Sequence, residues 1–233
     1  MSDFTKKIKI IPEQVSPFQE LRSSAILRIL QEMAVEHTES LGYPRSVTNE
    51  KGIIWVVAKQ HVEIKRLPTY GEEINVSTYP HKPMHVLFPR TYEFRDKNGE
   101  LIISAQSIWA LIDVKERKMV NPVDYGINIP DMSEGRKFNM PLSNAIPFDL
   151  DQEGEIKAEY SFCDINGHIN NTCYLDIAEN LMPIEFLKDH RLKGITIKYT
   201  HEVPLGNKLP IKFGLKDNTY YFVNEAFQLE LKY

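Results

Sequence analysis

The chain opens on a period-two stretch, Phe4-Thr-Lys-Lys-Ile-Lys-Ile-Ile11, and this alternation predicts a strand. Beyond Pro17 the spacing changes to that of a helix. Leu21, Ile26, Leu27, Leu30, Met33, Ala34 and His37 fall on one side, and the helix is predicted to end near Gly42, with Pro44 just beyond. The Val- and Ile-rich residues 53–64 predict a strand, which Leu67-Pro-Thr-Tyr-Gly71 breaks. Residues 73–79 alternate again. Residues 87–95 and 101–114 follow as strands, and Asp96-Lys-Asn-Gly99 between them is a hairpin signal. The order is strand, helix, then four strands.

Residues 115–157 lose this periodicity. Asn121-Pro122, Ile129-Pro130, Met140-Pro141 and Ile146-Pro147 punctuate them, while Ile127, Ile129, Phe138 and Phe148 still need burial. A connector ordered against the surface is expected. The pattern then returns, with strands over 156–162, 194–203, 209–215 and 221–231, a mainly helical stretch over 169–187, and a turn at Asp217-Asn218. Arg66-Leu-Pro68-Thr-Tyr-Gly71-Glu-Glu-Ile resembles Glu202-Val-Pro204-Leu-Gly206-Asn-Lys-Leu once one residue is gapped. Both segments end the first strand after the long helix. The pattern therefore gives an α+β fold with an internal repeat. The divisions expected are 1–120, a connector over 121–155, and 156–233.

At 233 residues the chain makes one large or two small domains. No apolar run reaches the ~20 residues that a bilayer span needs. The start, Met-Ser-Asp-Phe-Thr-Lys-Lys, has no apolar segment behind a basic one, so no secretory signal is read there. Cys163 and Cys173 are the only cysteines, which suits a reduced, cytoplasmic protein. The Asn75-Val-Ser77 and Asn170-Asn-Thr172 sequons carry meaning only for a secreted chain. A net charge of −4 argues against a nucleic-acid partner. Among the histidines, only His81 and His85 have close spacing, and Pro80 and Pro83 disfavour the helix that would align them. No metal and no cofactor is expected.

The densest chemistry lies in Asp164-Ile-Asn166-Gly-His168-Ile-Asn170-Asn171-Thr-Cys-Tyr174. In extended backbone Asp164, Asn166 and His168 share one face. The apolar spacing then turns helical through Ile169, Tyr174, Ile177 and Leu181, with Ala178 beside that stripe. The reactive groups would therefore sit at a helix start, where free N–H groups and positive potential favour an oxyanion. Asp and Asn alone would serve as caps. A histidine and two further asparagines exceed what capping requires.

The string D-x-N-x-H-x-N-N-x-x-Y, with Glu202 in Tyr-Thr-His-Glu-Val, resembles the acyl-[acyl-carrier-protein] thioesterases of bacteria and plant plastids. Trp55-Val-Val-Ala-Lys-Gln-His61, Leu67-Pro68 with Gly71-Glu72, and Ser107-Ile-Trp109 are similar to that family's first repeat. The resemblance implies two tandem hotdog units, each a long helix wrapped by an antiparallel sheet. It implies hydrolysis of fatty acyl thioesters in fatty acid biosynthesis, with Asp164, Asn166, His168 and Glu202 catalytic. Asn170, Asn171 and Tyr174 are expected at the substrate. Glu202 and His168 would activate water, and which of them takes the proton stays open. Asn166 would hold the water or the carbonyl, and Asp164 would orient its neighbours. Many plant members carry Cys after the glutamate, whereas this chain has Val203, so a thiol nucleophile is not expected there. The first repeat lacks the string, so its helix would give pocket wall, with Leu27, Leu30, Met33 and Ala34 as candidates.

The implied partner is acyl carrier protein bearing a phosphopantetheine-linked acyl chain, with a homodimer left open. Lys82, Arg90, Arg95, Lys97, Arg117, Lys118, Arg136 and Lys137 are either solvated singly or form a patch for that acidic carrier. An acyl-CoA thioesterase and a non-catalytic acyl-thioester-binding module are the rival readings.

Overall fold

In the computed structural model, which describes residues 4–140, 146–147 and 149–233, the described strands form one ten-stranded antiparallel sheet. The first half supplies β1 (Phe4–Lys9), β2 (Ile53–Ile64), β3 (Glu73–Pro80), β4 (Leu87–Arg95) and β5 (Leu101–Asp113). The second supplies β6 (Gln152–Lys157), β7 (Gly194–Tyr199), β8 (Lys208–Lys216), β9 (Thr219–Val223) and β10 (Phe227–Lys232). The halves meet where β2 pairs with β7, Gln60 opposite Ile197. Outward from that join the first half runs β2-β5-β4-β3-β1 and the second β7-β10-β9-β8-β6. The two orders correspond strand for strand, so the repeat read in the sequence is a repeat of topology.

Helix α1 (Ser23–Ser40) lies within the first half and buries Ile26, Leu27, Leu30, Met33, Ala34 and His37 of the predicted stripe, while Leu21, expected with them, lies before the helix in a bridge to Val15. The short α2 (Arg45–Glu50) follows Pro44 and is too brief to leave a periodic signal. The second helix departs from expectation. The stretch 169–187 is not one helix but α3 (Cys173–Glu179) and α4 (Ile184–Asp189). Pro183 lacks an N–H and pushes Met182 away from helical backbone, so the helix cannot continue. Ile169 instead makes an isolated bridge to Cys163. Helix α1 packs on α3 through Ser24, whose hydroxyl donates to Asp176 at 2.6 Å, and through Arg28, 3.0 Å from the same carboxylate.

Three strand boundaries also move. The strand expected over 156–162 runs over 152–157, because Tyr160–Phe162 forms a 3-10 turn. The strand expected over 221–231 is divided at Asn224, whose Oδ1 accepts from Ala226 N at 2.8 Å and Phe227 N at 2.9 Å. β7 stops at Tyr199, and Thr200 N and His201 N both turn to Ala226 O. Glu202 therefore stands on a loop and not in a strand. In the connector, Ile127 and Ile129 are buried as expected and Phe138 rests against His81; Pro141 and Phe148 lie outside the described residues.

One loop is built twice. In the second half Asp164 N donates to His168 O at 3.0 Å and Ile169 N to Val203 O at 2.9 Å. In the first half Ser16 N donates to Glu20 O at 2.8 Å and Leu21 N to Pro68 O at 2.8 Å. Gln19 and Gly167 hold positive φ, 65° and 79°, at matching points. Ser16, Phe18 and Glu20 thus occupy the backbone positions of Asp164, Asn166 and His168.

Candidate active site

The loop from Asp164 to His168 is closed by its own first residue. Asp164 Oδ1 accepts from Asn166 N at 2.8 Å, and Asp164 O accepts from Gly167 N at 3.0 Å. The φ of 79° at Gly167 favours glycine there. This tight turn replaces the extended backbone expected over 164–168, and Asn166 and His168 reach one cavity together with the intervening Ile165. His168 then bridges Pro204, which brings the loop carrying Glu202 alongside.

His168 Nε2 lies 3.4 Å from Glu202 Oε1. On the other side of the ring, Nδ1 is 3.5 Å from Ile169 O and 4.0 Å from Asp164 Oδ1. The other oxygen of Glu202, Oε2, is held by Arg117. Asn166 is fixed from two sides. Arg45 donates to its Oδ1 at 3.1 Å, and its Nδ2 donates to Asp164 Oδ2 at 3.2 Å. A guanidinium only donates and a carboxylate only accepts, so these partners set which way the amide points. One Nδ2–H remains for a ligand.

A cavity of about 440 Å³ adjoins these groups, and Asp164, Asn166, His168, Asn170, Asn171 and Glu202 all line it. Its other walls come from the first half. Gln31, Ala34, Val35 and Thr38 share a flank of α1 beside the core stripe, and Trp55, Val57 and Trp109 come from the sheet. Of the four wall candidates on α1, only Ala34 lines the cavity. Leu27, Leu30 and Met33 point into the core and are at most 1 % exposed.

One expectation about the substrate residues is corrected. Tyr174 does not line the cavity. It is buried against Phe227, with ring centroids 4.5 Å apart, and burial drives its hydroxyl's pKa upward. At the helix start Asn170 engages the N–H groups of Thr172 and Cys173, while that of Tyr174 has no acceptor among the described residues. Asn170 Oδ1 accepts from Thr172 N at 3.0 Å, Asn170 O accepts from Cys173 N at 2.9 Å, and Asn170 N itself donates to Phe162 O. Asn170 thus stands two residues before the N-cap, Thr172, and its side chain borders the cavity, while Asn171 borders it and accepts from the Tyr199 hydroxyl through its backbone O at 3.1 Å.

Arg45 was not legible as a site residue, since α2 has no periodic pattern. Arg117 stands in the turn after β5 with a φ of 56°, and only its neighbours in the fold reveal its contact with Glu202. Both thiols are held protonated. Burial raises Cys163 and Cys173 above the usual thiol range, with Asp164 adding to the rise at Cys163. Among the described residues no helix is long and apolar enough to cross a membrane, and no group of three His, Cys, Asp or Glu side chains could hold a metal ion.

Residues 2–126 match the acyl-ACP thioesterase N-terminal domain, and residues 147–228 match the acyl-ACP thioesterase C-terminal domain. A chloroplastic acyl-[acyl-carrier-protein] hydrolase of Cuphea viscosissima is 26% identical over 196 residues, covering 76% of this chain and 46% of that protein. A chloroplastic oleoyl-acyl carrier protein thioesterase of Arabidopsis thaliana is 26% identical over 198 residues, covering 76% of this chain and 53% of its own length. The chain thus spans about half the length of the curated relatives it matches. The crystal structure of an acyl-ACP thioesterase from Bacteroides thetaiotaomicron superposes with a TM-score of 0.81 at 23% identity, covering 100% of this chain and 99% of that one. The 12:0-ACP thioesterase from Umbellularia californica gives 0.80 at 18% identity, with 99% and 96% covered. The tandem α+β fold of the hotdog type, expected from the resemblance, is the fold found. With both of its domains matched in order along the sequence, this chain belongs to the acyl-ACP thioesterase family.

Proposed function

We propose that this protein hydrolyses fatty acyl-[acyl-carrier-protein] thioesters to free fatty acid and carrier protein, in fatty acid biosynthesis. The observation that carries the reading is the approach of His168 Nε2 to Glu202 Oε1 at 3.4 Å, on the wall of a cavity with apolar sides. A water held beside these two atoms gives up a proton to the pair as it attacks the thioester carbonyl. General base assistance of this kind contributes ~10²–10⁴-fold. The remaining Nδ2–H of Asn166 faces the negative charge that develops on the carbonyl oxygen. Asp164 holds that amide in place. The proton taken from water then passes to the leaving sulfur, so the thiol departs neutral.

Hydrolysis by water fits Val203, which stands where many plant members carry Cys, and fits the two protonated thiols elsewhere. The reactive pair also separates this reading from a binding module, which would need the cavity but not Glu202. Incubation with acyl-carrier-protein substrates from octanoyl to hexadecanoyl, with product analysis, tests the proposal. Free fatty acid and free carrier thiol in equal amounts are expected. Tight binding without turnover would favour the module, and a higher kcat/KM for acyl-CoA in competition would favour the CoA enzyme.

A further inference from the structure

The groups assigned to the chemistry, Asp164, Asn166, His168 and Glu202, all lie in the second half, yet two of them are held by arginines of the first. Arg45 opens α2 directly after Pro44, and its Nη2 donates to Asn166 Oδ1 at 3.1 Å. Arg117 stands in the turn that follows β5 and donates through Nη2 to Glu202 Oε2. Both arginines are exposed. Exposed polar contacts add little to stability, because water screens them and long side chains lose rotamer freedom in making them. Stability therefore does not account for either contact.

What the contacts settle is where the reactive groups point. The loop carrying Glu202 is fixed through its backbone: His168 bridges Pro204, Ile169 N donates to Val203 O, and Leu205 N donates to Gly167 O at 2.9 Å. None of these bonds reaches the carboxylate. A glutamate side chain has several rotatable bonds, and a half-exposed one is free to change rotamer. Among the described residues this carboxylate meets His168 on Oε1 and Arg117 on Oε2. Arg117 anchors it and leaves Oε1 toward the histidine. Asn166 repeats the arrangement, with its amide between Asp164 of its own loop and Arg45 of the first half. The turn that carries Arg117 is itself held tightly. Asp113 Oδ1 accepts from Lys115 N and Glu116 N, both at 2.8 Å, and Asp113 O accepts from Arg117 N at 2.9 Å. Arg117 keeps a φ of 56° there, a left-handed conformation that favours glycine and that collects at functional sites. The chain places at this point an arginine whose guanidinium lies on the reactive carboxylate.

We propose that Arg45 and Arg117 are positioning residues of the hydrolytic site. The first half holds the Asn166 amide and the Glu202 carboxylate in the orientation that the reaction needs, so the site is shared between the halves. The inference rests on the reading of this chain as a thioester hydrolase. Neither arginine touches the reacting atoms. Each acts through the group that does, so its loss slows the chemical step and leaves substrate binding in place. Misplacing a reactive group by about 1 Å costs on the order of 10²-fold in rate.

The test compares Arg45→Met and Arg117→Met with the wild-type protein on an acyl-carrier-protein thioester and on a small uncharged acyl thioester. Each variant should lower kcat by about tenfold or more with both substrates. KM should stay within about twofold, and the far-UV circular dichroism and thermal midpoint should not move. Arg117→Met added to Glu202→Ala, and Arg45→Met added to Asn166→Ala, should cost little further, because the group that each arginine orients is already gone. A role in the fold alone would instead add its full loss in those backgrounds, and that result would overturn the proposal. Unchanged kcat in the single variants would overturn it as well. A loss confined to the carrier-linked substrate would also overturn it, by making the arginines docking contacts. Failure of the wild-type protein to hydrolyse either thioester would remove the hydrolase reading itself, whereas wild-type turnover with unimpaired variants removes only the positioning role.

Discussion

At the scale of single residues, the site is a set of groups whose partners leave each with one free valence. Asn166 has one N–H left after Asp164 and Arg45 are served, and Glu202 has one oxygen left after Arg117. The histidine between them is the group whose loss should be felt most. His168→Ala should lower kcat by ~10²-fold or more with the far-UV circular dichroism unchanged; normal turnover in the folded variant would remove it from the mechanism. Cys163→Ala and Cys173→Ala should retain most activity, because both thiols are held protonated by burial. An acyl group trapped on either sulfur during turnover would contradict this. Asp164, Asn166 and His168 were legible because the run holds more polar groups than capping needs, whereas the extended backbone expected for them is a turn at Gly167 and Ile165 lines the cavity too. Glu202 was not legible from spacing alone, since it lies beyond the end of β7 and is brought in by a bridge across 36 residues of sequence, from His168 to Pro204. Arg90 could be named only as one basic residue among several, because nothing in the order of residues tells a buried guanidinium from a solvated one.

Secondary-structure elements were read well where they alternate and poorly where local chemistry intervenes. β2, β3, β4 and β5 lie within one residue of expectation, as central strands with apolar residues in register do. The helix over 169–187 was over-read because its apolar stripe runs on through Leu181 while Pro183 cuts the backbone. β6 was placed too late because an edge strand such as Gln152-Glu-Gly-Glu buries little. The packing of α3 has a pH signature. Burial pushes the carboxyl of Glu179, at the end of α3, up to about 7, and the neighbouring Asp176 adds to the rise. The folded chain therefore holds this proton more tightly than the unfolded one, and stability falls as pH rises from about 4.5 to about 7. Glu179→Gln does not titrate, so it should match the wild type at pH 4 and exceed it by roughly 3 kcal/mol at pH 8. Urea unfolding at the two pH values measures this. A constant difference would show that the carboxyl ionises freely in the fold.

Across the whole molecule, the nine basic residues from Lys82 to Lys137 do not form one class. Arg90 is buried, Arg95 pairs with Glu93 at 2.8 Å, Arg117 holds Glu202, and Arg136 lies 4.4 Å over the ring of Tyr79. Lys82, Lys97, Lys115, Lys118 and Lys137 stay exposed, and in the proposed function they are the ones that would steer an acidic carrier toward this net-acidic chain. Added salt should lower kcat/KM for the carrier-linked substrate once the Debye length falls below ~10 Å, and leave a small uncharged thioester unaffected. Reversing Lys118 and Lys137 to Glu should do the same, and an equal loss with both substrates would assign these lysines no steering role. The loop that is built twice bears on stoichiometry. Where the second half places His168, the first half places Glu20, and that carboxylate is bound 3.0 Å from Arg191 of the other half. The duplicate of the reactive position has become a clasp between the halves. A tight-binding thioester analogue should therefore saturate this protein at one equivalent per chain, and two equivalents would mean that the clasp opens.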